Sequence, residues 1–229
     1  VTIAGSLKNV IDISEWRNAL NELSTPKKGP KNVDAAAIFE RLRFSYERLK
    51  DEDLQHCLLY CALFCEDHEF ERDRLIEDLI DEGIIERMES RQAEFDRGHT
   101  MLNKLERACL LETGINRNVK LHDLIRDMAL RIADAKFLVS DYVPNEEEWG
   151  NDVEKVSLMC KRGSKFPNVS QECPKLSTLL LRGYANIIPD SFFVHLHGLR
   201  VLHVDCLEFE SLPNLVSDLK HLTSLRLIN

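Results

Sequence analysis

The 229-residue chain has no phosphate-gripping G-x-x-x-x-G-K-[ST] loop; Gly5-Ser6-Leu7-Lys8 does not supply one, and no acidic strand for Mg²⁺ is evident. It also lacks G-x-S-x-G, H-E-x-x-H and any cysteine in a nucleophile-like His-Asp context, so no enzymatic activity is expected of it. No apolar run approaches the roughly 18–20 residues of a membrane span. No basic-then-apolar leader opens the chain, and a cytoplasmic location is the expectation. Peripheral membrane association of a longer protein is compatible with that. The chain starts at Val1 and stops inside a repeating pattern, which suggests a piece of something longer.

Cysteine is present without a framework. Cys57, Cys61, Cys65, Cys109, Cys160, Cys173 and Cys206 make neither an even set nor a C-x-x-C pair. Cys57, Cys61 and Cys65 recur every fourth residue on an apolar helix, with His56 and His68 nearby. A metal cluster is conceivable there, but zinc ligands usually pair through tight turns. Three small buried thiols in a reducing compartment are the simpler expectation.

What the chain does have is ordinary globular composition, 44% hydrophobic and 30% charged, with a net charge of −9. Residues 1–25 read as a helix pair: Ile3 and Leu7, then Trp16, Leu20 and Leu23 after a cap at Ser14. Pro26, Gly29, Pro30 and three lysines make a breaker-rich linker up to residue 34. Helices follow: Ile38, Leu42, Tyr46 and Leu49 mark one, and Leu54, Leu58 and Leu63 the next. A third runs from Glu71 through Leu75, Ile76, Leu79 and Ile80 to a stop at Gly83, and a fourth carries Met101, Leu102, Leu105 and Ala108. Cys109–Thr113 and Asn118–Leu121 then flank Gly114-Ile115-Asn116-Arg117 as a β-hairpin. Helices followed by a hairpin predict a winged helix over 35–140.

Charge argues against DNA for that fold. Between Asp51 and Asp96 sixteen acidic residues face four arginines, a balance of −12. A nucleic-acid face needs the opposite sign. No nucleic-acid partner is expected.

The junction Val119-Lys120-Leu121-His122-Asp123-Leu124 is the most informative stretch. A β-prone run ends there and a helix begins, with Ile125, Met128, Ala129, Ile132 and Ala133 along one face. Its first backbone N–H groups lack intrahelical partners and favour an anion or phosphate. An Asp at such a place is equally an ordinary N-cap, and Asp123 is expected to fill that role.

After an acidic linker at 141–152, a repeat occupies 153–229. Val153-x-x-Val156-x-Leu158, Leu176-x-x-Leu179-x-Leu181, Leu199-x-x-Leu202-x-Val204 and Leu222-x-x-Leu225-x-Leu227 each begin 23 residues apart. Ile188-Pro189 and Leu212-Pro213 recur between them. This is the leucine-rich-repeat pattern, and one such unit cannot bury its own apolar face, so four must stack. The fold class expected is α+β and multidomain, a helical and winged-helix part followed by a short solenoid.

Together these segments resemble plant intracellular nucleotide-binding leucine-rich-repeat immune receptors of the coiled-coil class. Phe44-Ser45-Tyr46-Glu47-Arg48-Leu49 is similar to the family's F-S-Y-D-x-L, and Cys61-Ala62-Leu63-Phe64-Cys65-Glu66-Asp67 to its C-x-L-F-P-E-D. Leu75-Ile76 through Glu82-Gly83-Ile84-Ile85 resembles L-I-x-x-W-I-A-E-G-F-I, and Leu121-His122-Asp123 the Met-His-Asp motif. Residues 1–25 resemble the stretch after G-L-P-L, the end of the helical NB-ARC subdomain. Cys65 stands for the usual Pro, Leu79 for Trp and Leu121 for Met; the last swap nearly conserves volume. The resemblance implies a switch in which the winged helix closes over ADP, His122 meets the terminal phosphate, and Asp123 orders the loop. Exchange of ADP for ATP would open it. With the phosphate loop missing, ADP or ATP belongs to the longer protein, which is compatible with slow ATPase activity there, and this chain supplies a lid. The repeats are implied to meet a pathogen effector or a guarded host protein, and the nucleotide-binding and coiled-coil parts intramolecularly. Thr178, Leu180, Arg182, Arg200, His203, Asp205 and Arg226 are the candidate contact residues. A repeat adaptor or inhibitor without a switch is the alternative.

Overall fold

The computed structural model describes Ser14 and residues 33–166, 173–184, 188–207 and 214–228. The expected helix pair at 1–25, Ser14 aside, and Leu212-Pro213 lie outside the described residues. The chain divides between Ile132 and Ala133 into two units.

In the first unit, α1 (Val33–Glu47) begins inside the segment assigned to the linker and is followed by α2 (Glu52–Cys61). Then come β1 (Glu69–Phe70), α3 (Arg72–Asp81), α4 (Arg91–Arg107), β2 (Glu112–Thr113), β3 (Val119–Lys120) and α5 (Asp123–Ala133). Helical spacing puts Leu54, Leu58, Leu75, Ile76, Leu79, Met101, Leu102 and Leu105 in one core. Helices α3 and α4 end by the same device. Gly83 and Cys109 each take a positive φ, of 75° and 56°. Ile84 N and Leu110 N each bond back to the fifth carbonyl before them, Leu79 and Leu105, both at 2.9 Å. Cys109 is therefore a helix stop and not the first hairpin residue that the sequence pattern suggested. The hairpin itself is β2 and β3, antiparallel, and β1 adds a third strand that the sequence did not reveal, in the order β1-β3-β2. Two residues are too few to show period-2 alternation.

The thiols split. Cys57 and Cys61 are buried on α2, whereas Cys65 is exposed beyond the helix end, which corrects the expectation of three buried thiols. The helix stops at Cys61, so the four-residue spacing no longer keeps Cys65 on its face.

In the second unit, β4 (Phe137–Ser140), β5 (Lys155–Cys160), β6 (Thr178–Tyr184), β7 (Val201–Leu207) and β8 (Ser224–Ile228) form a parallel five-stranded sheet in chain order. Lys155 pairs with Thr178, Thr178 with Val201, and Val201 with Ser224. The step shows in hydrogen bonds that join residues 23 apart. Ser177 Oγ donates to the Glu154 carbonyl at 3.1 Å and Thr223 Oγ1 to the Arg200 carbonyl at 3.0 Å. The apolar positions of β5, β6 and β7 enclose the core with Phe192, Phe193 and Leu196. Two corrections follow for the boundaries. The sheet already begins at Phe137, within the segment assigned to the winged helix. The acidic 141–152 segment is also more than a spacer, because Trp149 is fully buried and packs edge-on to Phe192 at 5.7 Å. Charges at 141–152 marked the surface of that segment and hid this anchor. Among the described residues no helix is long and apolar enough to cross a membrane.

Candidate functional site

The site is built around the β3–α5 junction. Val119 and Leu121 point into the core, then His122, Asp123 and Leu124 are exposed in succession, and Ile125 is buried again. Leu124 is 48% exposed, a large apolar side chain on an otherwise polar edge. The remainder of α5 buries Met128, Ala129 and Ala133.

The helix cap is His122, not Asp123. Its carbonyl accepts from Arg126 N at 2.9 Å, the first intrahelical bond, and its Nδ1 accepts from Leu124 N at 3.2 Å. Asp123 is the first residue of the helix, where its charge suits the positive end of the backbone dipoles. The sequence pattern assigned the cap to Asp because Asp is the commoner capping residue; an imidazole lone pair at the preceding position does the same work.

Arg126 fixes the same first turn from the other side. Its Nε donates to the Phe64 carbonyl at 2.6 Å, and a guanidinium nitrogen lies 3.9 Å from Glu66. Phe64 sits in a tight turn, with its N–H donating to the Cys61 carbonyl at 3.3 Å, and its ring stacks among Tyr60, His68 and Phe70 at 4.6–5.7 Å. The Cys61–Asp67 segment thus presents the carbonyl that holds α5. Arg131, further along α5, lies 5.3 Å above the Phe39 ring of α1. The family-like run Leu124-Ile125-Arg126-Asp127-Met128-Ala129 included Arg126 without showing its role, because an arginine in the first turn of a helix reads as surface charge.

Elsewhere in the unit, Glu94 is a buried carboxylate that accepts from Met88 N at 3.2 Å and Arg91 at 3.1 Å, with Arg87 at 3.5 Å. The Met88 amide first, then the two guanidiniums, hold its pKa below the usual carboxylate range. The Cys61 thiol is pushed well up by its hydrogen bond with Cys57 and by burial, so it is a poor nucleophile.

The parallel sheet places the seven candidate contact residues unevenly. Arg200 and Asp205 are exposed, and Arg182, His203 and Arg226 are half-buried. Thr178 Oγ1 accepts from Lys155 Nζ at 3.1 Å, and Thr178, Leu180 and Arg182 alternate onto one face of β6.

A family model for the winged helix domain of disease resistance proteins matches residues 63–129. That span holds α3, α4, the hairpin, His122, Asp123 and Arg126. The disease resistance protein SUMM2 of Arabidopsis thaliana is 35% identical over 95% of this chain and 25% of its own length. RPS5 and RFL1, disease resistance proteins of the same plant, are 33% and 34% identical over 95% of the chain and 25% and 26% of theirs. The chain belongs to the disease resistance protein family. It spans about a quarter of the length of the curated relatives it matches. The β3–α5 junction is therefore a feature of a disease resistance winged helix.

Among the groups at the junction, an imidazole at the start of a helix suits one edge of a phosphate. The Asp123 carboxylate beside them opposes it. The chemistry fits a single directed contact to an anion whose main charge is neutralised by other groups.

Proposed function

We propose that this chain is the lid and repeat portion of an intracellular plant immune receptor acting in defence. In this reading the winged helix closes over ADP held by a nucleotide-binding domain of the longer protein. His122 donates to the terminal phosphate, and Asp123 orders the loop and the first turn of α5. The nucleotide supplies the anionic group whose exchange for ATP releases the lid. Arg126 and the Phe64 carbonyl keep His122 in place.

The 23-residue repeats form a leucine-rich-repeat solenoid that restrains the switch and meets a pathogen effector or guarded host protein. Arg200 and Asp205 are the open contact residues, with Arg182, His203 and Arg226 at their side. The chain itself is not an enzyme and works in the cytoplasm. The observation that carries the reading is the exposed run His122-Asp123-Leu124, with its apolar Leu124, on a junction otherwise packed into the core.

The experiment compares nucleotide retained by this chain and by the longer protein after purification. ADP is expected with the longer protein only, and the isolated chain should show no ATP turnover. A longer protein that retains no nucleotide and carries no phosphate loop would instead favour a repeat adaptor.

A further inference from the structure

We propose that the α5 cap locks His122 in the tautomer that carries its proton on Nε2, so that the residue offers the lid's ligand a hydrogen-bond donor and not a lone pair. The argument begins from Leu124 N, which is a donor and reaches Nδ1 at 3.2 Å. A backbone N–H needs a lone pair opposite it, so Nδ1 carries no proton. The neutral ring has one proton, and it sits on Nε2.

This choice has consequences for ligand class. An Nε2–H meets an acceptor, such as a phosphate oxygen. Coordination of a metal ion through Nε2 would require the proton to move to Nδ1, where it would face the Leu124 N–H and break the cap. The ring thereby favours an acceptor oxygen, such as that of a phosphate, over a metal cation. That ligand class rests on the lid reading above; the tautomer does not, because it follows from a bond within this chain.

The test uses the whole chain, without nucleotide, labelled with ¹⁵N histidine. Spectra are taken at about pH 8, above the ordinary histidine pKa of about 6.5. His122 should show a pyridine-like Nδ1 and a pyrrole-like Nε2 in full, while the exposed His197 and His221 report the solvent mixture of tautomers. His122→Ala should speed exchange of the Leu124 amide about fivefold, the size expected for a lost cap. His122→Asn, whose side-chain oxygen can cap, should restore the slow exchange, and Asp123→Val should leave the tautomer unchanged. A pyrrole-like Nδ1, a mixture matching His197 and His221, or unaltered Leu124 exchange in His122→Ala overturns the proposal. None of these results depends on nucleotide, so failure here is distinguishable from failure of the lid reading.

Discussion

The guanidinium of Arg126 and the backbone carbonyl of Phe64, 62 residues apart in sequence, meet at 2.6 Å and tie the start of α5 to the turn that follows α2. The side chain of Arg126 is 13% exposed, so this charged donor is largely withdrawn from water. Arg126→Ala leaves the Phe64 carbonyl without its donor. Loss of a hydrogen bond to a charged group should lower stability by about 1.5–3 kcal/mol. Arg126→Lys keeps the charge but not the planar donor and should recover only part. Denaturant unfolding followed in the winged helix checks this, and an unchanged midpoint in Arg126→Ala contradicts it.

Helices α3 and α4 cross at Gly98. A Cβ there would lie 2.6 Å from both Cγ1 and Cγ2 of Ile76, atoms close to the backbone of a fully buried residue. Gly98→Ala should therefore destabilise by about 1–3 kcal/mol despite its better helix propensity. Ile76→Ala should absorb part of that cost, giving a favourable coupling in the double-mutant cycle. Additive effects would mean the helices separate freely.

Glu94 predicts an acid-sensitive loop. Its folded-state pKa is depressed, so its contribution is present above the unfolded value of about 4.3 and is lost as pH falls through the folded value. Exchange protection of the Met88 amide should drop over that acid range in the wild type. Glu94→Gln, which keeps an acceptor but no charge, should lose the pH dependence. Equal pH profiles for both proteins would remove Glu94 from the account.

At the last strand, Leu225 and Leu227 are 46% and 47% exposed, while Leu176 and Leu179 are fully buried. Hydrogen exchange should be fastest at Leu222, Leu225 and Leu227 among the repeat leucines. Exchange there as slow as at Leu176 would contradict the burial pattern.

Long-period features were legible in the sequence, and single anchors were not. The 23-residue register survives because each strand must bury the same apolar positions against its neighbour, as Leu179 and Leu202 do. The helices declared themselves through Leu75, Leu79, Met101 and Leu105 for the same reason. Trp149 and Arg126 carry no periodic signal; each acts through tertiary contacts that no local pattern encodes. At the junction His122 took the cap that Asp123 was expected to supply.

In the proposed lid, His122 contacts the phosphate of ADP when the lid is shut. The most direct test is the ADP dissociation rate of the longer protein carrying His122→Ala against the wild type, with His122→Asn as the variant that keeps the helix cap. A lost hydrogen bond to a charged group, about 1.5–3 kcal/mol, should speed release of ADP by at least about tenfold in both variants. If both folded variants release ADP at the wild-type rate, His122 is a helix cap alone and the lid does not hold nucleotide through it.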